Sequence, residues 1–157
     1  MLAVIRPDSW NYALFLHVLG AMALVGALVT AVTAQLLSWK KAAAGDSLAY
    51  ARVAFKTLLF VGIPAWFAMR IGAQWIGSKE GWDKVDNPPT WLDVGFTTAD
   101  GGGIILLVSV ILAGFGTRRL ARADGGVSNL SRSAGALAII LLVAYLVAVW
   151  AMSAKPN

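Results

Sequence analysis

The chain has 157 residues, of which 59% are hydrophobic and only 13% are charged. Ordinary soluble domains carry roughly 25% charged residues, so this composition leaves too little polar surface for a soluble globule, and the length suits one compact unit. The absence of cysteine excludes disulfides, thiolate metal sites and cysteine nucleophiles, and the net charge of +5 comes from basic residues between apolar segments, where they act as orientation signals.

Four long apolar segments follow one another along the chain, at about 9–39, 57–78, 91–117 and 133–154. A helix needs about 20 apolar residues to cross the hydrocarbon, whereas barrel strands would alternate polar and apolar residues over about 10 positions. The first segment is too long for the apolar region of a signal peptide, which is about 7–15 residues. The sequence therefore predicts an all-α membrane protein, a four-transmembrane-helix bundle that forms a single domain over 1–157.

The charges of the three connections predict the orientation of this bundle. The positive charges exceed the negative charges in the first connection (Lys40, Lys41, Arg52 and Lys56 against Asp46) and in the third (Arg118, Arg119, Arg122 and Arg132 against Asp124), but not in the second (Lys79 and Lys84 against Glu80, Asp83 and Asp86). Basic loops stay in the cytoplasm. We therefore expect a multi-pass protein of a bacterial plasma (inner) membrane, with loops 40–56 and 118–132 cytoplasmic and both termini outside. The Ala-rich first connection is itself able to form a helix.

Ionisable residues inside the predicted spans are candidates for function, because such groups in hydrocarbon need a partner, water or a role. Helical spacing groups them into an expected intramembrane polar cluster of Arg70, Gln74, Asp93, Thr97 and Asp100. In this cluster Arg70 lies between two carboxylates. The favoured interpretation is architectural, with Arg70 neutralising Asp100 and locking two helices together, since a buried pair alone is weak evidence of function.

Small residues mark two further places in the predicted spans. Gly101, Gly102 and Gly103 follow Asp100 at the entrance of the third helix, where glycine is unfavourable unless it serves something. They would serve close helix packing, the approach of a flat ligand, or a break that exposes backbone groups. In the first span, residues 23, 27 and 31 are all alanine, which predicts a packing seam within the bundle or between protomers.

His17 is the only histidine and lies in the first predicted span. Gly20 and Ala21 come one turn later and would leave open space beside the imidazole. A lone histidine in a bundle is more often a hydrogen-bonded interior residue than a ligand. However, a planar macrocycle needs an axial nitrogen beside small residues, so His17, Gly20 and Ala21 are the candidate cofactor-binding residues, with haem as the cofactor. One histidine without cysteine does not support a dedicated copper site, and no metal site is predicted.

Two short motifs carry a resemblance to a known family: residues 15–21, FLHVLGA, and residues 150–156, WAMSAKP. By these motifs and its layout, the whole chain resembles a family of bacterial four-helix integral membrane proteins near the copper-resistance-D-like superfamily. That superfamily includes small membrane-bound protoporphyrinogen oxidases, and the resemblance implies that His17 matches their haem-binding histidine. The chain departs from those enzymes at their intramembrane lysine. No predicted span contains lysine, and the nearest substitute, Arg70, cannot titrate.

No phosphate loop, nucleophile elbow, zinc motif or dinucleotide fingerprint is present in the sequence, and nothing indicates nucleic-acid binding. We therefore expect a non-catalytic accessory or assembly subunit of a membrane complex, or a homo-oligomer, whose partners are the lipid bilayer and other subunits or copies of itself. The alternative is a haem- or porphyrin-binding membrane protein that uses His17. A further alternative is a small oligomeric transporter or channel, in which Arg70, Asp93 and Asp100 line an outward cavity.

Overall fold

The computed structural model describes residues 8–40, 46–82, 85–122 and 129–155. Within these ranges the chain is almost entirely helical and has no strand. The helices are α1 (Asn11–Lys40), α2 (Ser47–Thr57), α3 (Ile63–Glu80), α4 (Thr90–Arg122) and α5 (Asn129–Ala154). A 3-10 turn (Asp8–Trp10) precedes α1, and a π-helical segment (Leu58–Gly62) joins α2 to α3. Because α2 and α3 are continuous, four helical units in the described chain are long and apolar enough to cross a membrane. The predicted four-helix membrane bundle is confirmed.

The helices extend beyond the predicted spans. The second unit begins at Ser47 rather than at 57, because most of the Ala-rich first connection continues the helix. The third unit reaches Arg122, with Arg119 and Arg122 in its last turn. Cations are favourable at that end of a helix dipole, and long basic side chains can reach the headgroups while their helix continues. Four of the predicted loop charges lie outside the described residues: Lys41, Asp83, Lys84 and Asp124.

Pro64 explains the π-helical segment between α2 and α3. Proline has no N–H, and its ring collides with the carbonyl one turn earlier in a regular helix. The chain widens just before it, and the Ile63 N–H donates to the carbonyl of Leu58, five residues back. The helix therefore passes Pro64 without ending. It ends instead at Gly81, whose φ of 77° is the left-handed conformation typical of a glycine cap.

The four units form a ring in which neighbours in sequence are antiparallel. The contacts of α1 with α3 and of α4 with α5 are the most extensive, α2 packs on both α1 and α4, and α5 also packs on α1, whereas α3 and α4 touch little. We call the end where α1 begins and α5 ends the terminal end, and the opposite end the basic end. The centre of the ring is filled by fully buried leucines, namely Leu24, Leu28, Leu106 and Leu141.

The backbones of α1 and α3 are in direct contact near the terminal end. A Cβ atom on Gly72 would lie 2.5 Å from the backbone nitrogen of His17, and one on Gly20 would lie 2.3 Å from that of Met69. Only glycine leaves room for this approach. Of the predicted alanine seam, Ala27 and Ala31 are buried in the isolated chain, so this part of the seam serves packing within the bundle.

Candidate functional site

Arg70 and Asp100 form a two-pronged ion pair between α3 and α4. Arg70 Nε donates to Asp100 Oδ1 at 2.6 Å, and Nη2 donates to Oδ2 at 3.2 Å. The remaining nitrogen, Nη1, donates to Gln74 Oε1 at 2.8 Å. The guanidinium also lies 5.4 Å from the centre of the Phe96 ring, within range of a cation–π attraction. Each guanidinium nitrogen therefore has a partner, and the Arg70–Asp100 pair has no net charge.

This ion pair lies within the membrane-spanning part of the bundle. Asp100 is ten residues after the start of α4 and Arg70 is ten residues before the end of α3, which corresponds to about 15 Å from the helix ends. A helix of 33 residues is about 50 Å long and exceeds the hydrocarbon, about 30 Å thick, by about 10 Å at each side. With this helix centred on the bilayer, the pair lies about 5 Å inside the hydrocarbon boundary by the same arithmetic.

A groove accompanies the pair on the outside of the bundle. It has a volume of about 230 Å³ and is lined by Arg70, Gln74, Gly77, Trp82 and Phe96. The side chain of Arg70 is 24% exposed and that of Asp100 is 58% exposed. We call this feature the α3–α4 groove. Its lining combines a guanidinium, an amide and aromatic walls, and the exposed carboxylate of Asp100 lies beside it on the outside of the bundle.

Aromatic residues surround the mouth of the α3–α4 groove at the terminal end. Trp82 Nε1 donates to Glu80 Oε2 at 2.8 Å, and the rings of Trp82 and Trp91 meet edge to face at 5.9 Å. The Lys155 ammonium lies 5.2 Å from the centre of the Trp91 ring. These contacts link the end of α3, the start of α4 and the residue after α5 around the groove.

The glycines after Asp100 accommodate aromatic side chains of neighbouring helices. A Cβ on Gly103 would collide with the ring of Trp66, and one on Gly102 would collide with the hydroxyl of Tyr145. Trp66 Nε1 also donates to the carbonyl of Ala99 at 2.8 Å. Because α4 is continuous through this run, the alternative of a helix break is wrong and close packing accounts for two of the three glycines. Gly101 is the exception, since it is exposed and a Cβ built on it would meet no atom of a neighbouring helix within 4 Å.

The structure joins three of the five residues in the predicted polar cluster: Arg70, Gln74 and Asp100. Asp93 and Thr97 are exposed on the same face of α4, but Arg70 pairs with Asp100 and not with Asp93. Asp93 lies in the first turn of α4, where the helix dipole favours a carboxylate. Sequence reasoning missed Phe96, although it precedes Asp100 by one helical turn, and Trp82, which no helical spacing connects to the cluster.

His17 is bonded to the backbone of α3. Its Nδ1 lies 3.0 Å from the carbonyl oxygen of Met69. A carbonyl only accepts, so Nδ1 carries the hydrogen, and in the neutral ring Nε2 holds the lone pair. Metal-ligating histidines are commonly held this way. The space expected beside Gly20 is, however, filled by the backbones of Ala65 and Met69, and Ala21 is half-buried. The nitrogen therefore fits an axial ligand, but the Gly20 side does not fit a macrocycle.

A second polar contact ties α1 to α5 near the basic end. Buried Gln35 donates through Nε2 to the Ser131 carbonyl at 3.0 Å and to the Ser131 hydroxyl. Ser38 Oγ, also buried, donates to the carbonyl of Ser47 at 2.9 Å and joins α1 to α2. These bonds satisfy buried polar groups and have an architectural role. Among the described residues, no group of three or more His, Cys, Asp or Glu side chains is placed to hold a metal ion.

No family model, curated protein or solved structure matches this chain.

Proposed function

We propose that the protein is a non-catalytic subunit of a membrane assembly and that its partner packs on the α3–α4 groove. The observation that supports this is the position of Asp100, whose side chain is 58% exposed on the outside of the bundle at a depth that lies within the hydrocarbon. Ionisable groups in membranes almost always face protein or a water-filled cavity, because contact with lipid is costly. A partner helix over the groove would remove Asp100 and Arg70 from lipid.

The charge and shape of this face describe the partner. Gly101 is exposed, and a Cβ built on it would meet no other atom within 4 Å, so a second backbone can approach closely, as in other small-residue contacts between membrane helices. Asp93 and Asp100 are the carboxylates on this face of α4, and Arg70 of α3 is the guanidinium beside Asp100. The two carboxylates outnumber the guanidinium, so a two-fold contact with a second copy would bring two faces with excess negative charge together. We therefore favour a different membrane protein, one whose helix offers a cation or a hydrogen-bond donor to Asp100.

Photo-crosslinking from Gly101 tests this proposal. A benzophenone amino acid is introduced at Gly101, and the matched control carries it at Val143, which is 56% exposed on α5. After irradiation of native membranes, we expect a discrete heavier adduct from position 101 alone, with a second membrane protein identified in it by mass spectrometry. An adduct of twice the chain mass would indicate a homo-oligomer instead. Absence of any protein adduct from position 101 would remove the basis of the proposal.

We also infer that the basic end faces the cytoplasm of a bacterium and that both termini lie outside. The exposed Arg118, Arg119 and Arg122 at the basic end support this orientation through the positive-inside rule. Because the chain has no cysteine, a single introduced cysteine reports the side of the membrane on which it lies. Ser153→Cys at the terminal end should react with a membrane-impermeant maleimide on intact cells, and Ser133→Cys at the basic end should react only after lysis. The reverse pattern would refute the orientation.

Haem binding by His17 is the second candidate. The observation that favours it is the Nδ1 contact with the Met69 carbonyl, which leaves Nε2 as the nitrogen available to a ligand. The backbone contact at Gly20 opposes it. An absorption spectrum of protein purified gently from native membranes decides the matter. A Soret band that His17→Ala removes would support this function, and colourless protein without extractable haem would rule against it.

A further inference from the structure

One side of α4 is exposed along most of its length. Its exposed positions recur every three or four residues and form a continuous stripe: Asp93, Thr97, Asp100, Ile104, Leu107, Ile111 and Phe115. We call this surface the α4 stripe. Asp100 connects it to the α3–α4 groove, on which the proposed partner packs. A repeat of about 3.5 residues is the pattern with which one helix contacts another that crosses it at about 20°. The stripe therefore has the geometry of a contact with one further membrane helix.

The α4 stripe has a polar half and an apolar half. The apolar half consists of side chains that are between 50% and 66% exposed: Ile104, Leu107, Ile111 and Phe115. Lipid can cover these side chains as well as protein does. The polar half presents two carboxylates and one hydroxyl, those of Asp93, Asp100 and Thr97, and we call it the acceptor patch. Carboxylates accept hydrogen bonds but do not donate them, and lipid chains offer no donor, so the acceptor patch is the part of the stripe that favours a protein partner.

The charge of the acceptor patch is only partly balanced within the chain. Arg70 donates to both oxygens of Asp100, and none of the described residues forms an ion pair with Asp93. Lys155, which follows α5, lies over the ring of Trp91 instead. With two carboxylates and one guanidinium, this surface has one negative charge in excess. One further cation would make it neutral.

The spacing of the two carboxylates indicates where that cation lies. Asp93 and Asp100 are seven residues apart, or about 10 Å along the helix axis, and Thr97 lies between them. A cation opposite Thr97 is about 5 Å along the axis from each carboxylate, close enough to stabilise the charged form of both. We infer that the partner is a transmembrane helix that packs along the α4 stripe, with one lysine or arginine opposite Thr97 and apolar side chains beyond it. This inference rests on the proposed function and specifies its partner.

Photo-crosslinking along the α4 stripe tests its continuity. The benzophenone amino acid is placed at Ile104 or at Ile111, and the matched control carries it at Ile140, which is 55% exposed on α5. In native membranes, we expect Ile104 and Ile111 to give the same partner adduct as Gly101, and Ile140 to give none. An adduct from Gly101 alone would overturn the inference and leave the proposed function standing. Absence of an adduct from Gly101, Ile104 and Ile111 would refute both.

Charge variants test the cation. With the crosslinker at Ile104, Asp93→Asn should lower the adduct yield about threefold or more, as expected for the loss of one polar contact between membrane helices. Asp93→Lys should abolish the adduct, and Asp93→Glu, which keeps the charge, should retain it. The matched control is Asp86→Asn, which removes an exposed carboxylate that precedes α4 and should leave the yield unchanged. An adduct whose yield is the same in Asp93→Asn, or falls equally in Asp86→Asn, would overturn the cation while the partner itself remains.

The crosslinked segment of the partner gives an independent measurement. Ile104 is seven residues after Thr97, so mass spectrometry of the adduct should find a lysine or arginine about seven residues from the crosslinked position, in an otherwise apolar segment. A crosslinked segment with no basic residue within about ten residues would overturn the inference, because such a segment cannot place a cation opposite Thr97.

Discussion

Replacing Gly72 with alanine is expected to destabilise the bundle by forcing α1 and α3 apart. The new Cβ would lie 2.5 Å from the backbone nitrogen of His17 and 2.8 Å from its Cα. Neither atom belongs to a flexible side chain, so the helices themselves must move. Reaching an ordinary contact of about 3.4 Å requires a shift of about 1 Å, and the same movement would lengthen the His17–Met69 hydrogen bond of 3.0 Å.

The size of the effect follows from a matched comparison with Gly26→Ala. Gly26 is also in the interior of a helix, but no atom lies within 4 Å of its Cβ position. Both variants gain helix propensity of about 1 kcal/mol, which cancels in the comparison. The overpacking cost remains at Gly72, where inserted methyl groups typically cost about 1–3 kcal/mol. Gly72→Ala should therefore be less stable than Gly26→Ala by about 1–3 kcal/mol.

Unfolding by sodium dodecyl sulfate in mixed micelles, followed by far-ultraviolet circular dichroism, measures this difference. We expect Gly72→Ala to have the lower midpoint of the two variants, and the midpoint of Gly26→Ala to stay equal to the parent or to rise. Equal midpoints for the two variants would show that the α1–α3 backbones are not in contact. The explanation of these glycines, and of the missing space beside Gly20, would then be wrong.

Two further predictions concern polar contacts between helices. Arg70→Gln and Asp100→Asn should each cost more stability than the double variant, since each single change leaves one charge without its partner. The coupling free energy between Arg70 and Asp100 should be about 1–2 kcal/mol because the pair is partly exposed. The four proteins of the cycle are compared by the same unfolding titration. Gln35→Leu keeps the side-chain size but removes the bonds to Ser131, and it should cost about 0.6–1.7 kcal/mol, measured in the same way.

Each of these two predictions has a control and a contradicting result. For the ion pair, additive single changes would mean that the charges do not interact, as expected if water separates them. For the buried amide, the matched change is Thr33→Val, an exposed residue two positions earlier on α1. Gln35→Leu that is no less stable than Thr33→Val would show that the bond to Ser131 contributes nothing to the bundle.

The sequence predicted the architecture because long apolar runs and sparse charges determine it. The pairing of Arg70 with Asp100 was also predictable, since the two residues have opposite charges and lie about the same distance from the terminal end. The role of the glycine run was left open among alternatives. Sequence periodicity indicates which face of a helix a residue lies on. It does not indicate that the side chains of Trp66 and Tyr145, from two other helices, pack against Gly103 and Gly102.

The misjudged surroundings of His17 have a related cause. Gly20 is a small residue on the first helix, and sequence alone does not distinguish room left for a ligand from room taken by another backbone. The complementary glycine, Gly72, lies on a different helix. Only the antiparallel register of α1 and α3 reveals that the two glycines form one contact. The Ala-rich first connection was expected to be able to form a helix, and Arg52 and Lys56 do lie within α2.

The position of the α3–α4 groove follows from these helix contacts. Near the basic end, Phe55 packs on Gly114 and joins α2 to α4. Beyond the π-helical segment, glycine draws α3 against α1, so the gap toward α4 is filled by long side chains such as Trp66 and Arg70. Gly72, which contacts α1, and Arg70, which pairs with Asp100, therefore both lie on α3. Gly72→Ala, which pushes α3 away from α1, should change the Arg70–Asp100 coupling, and repeating the double-mutant cycle in that background should give a different value.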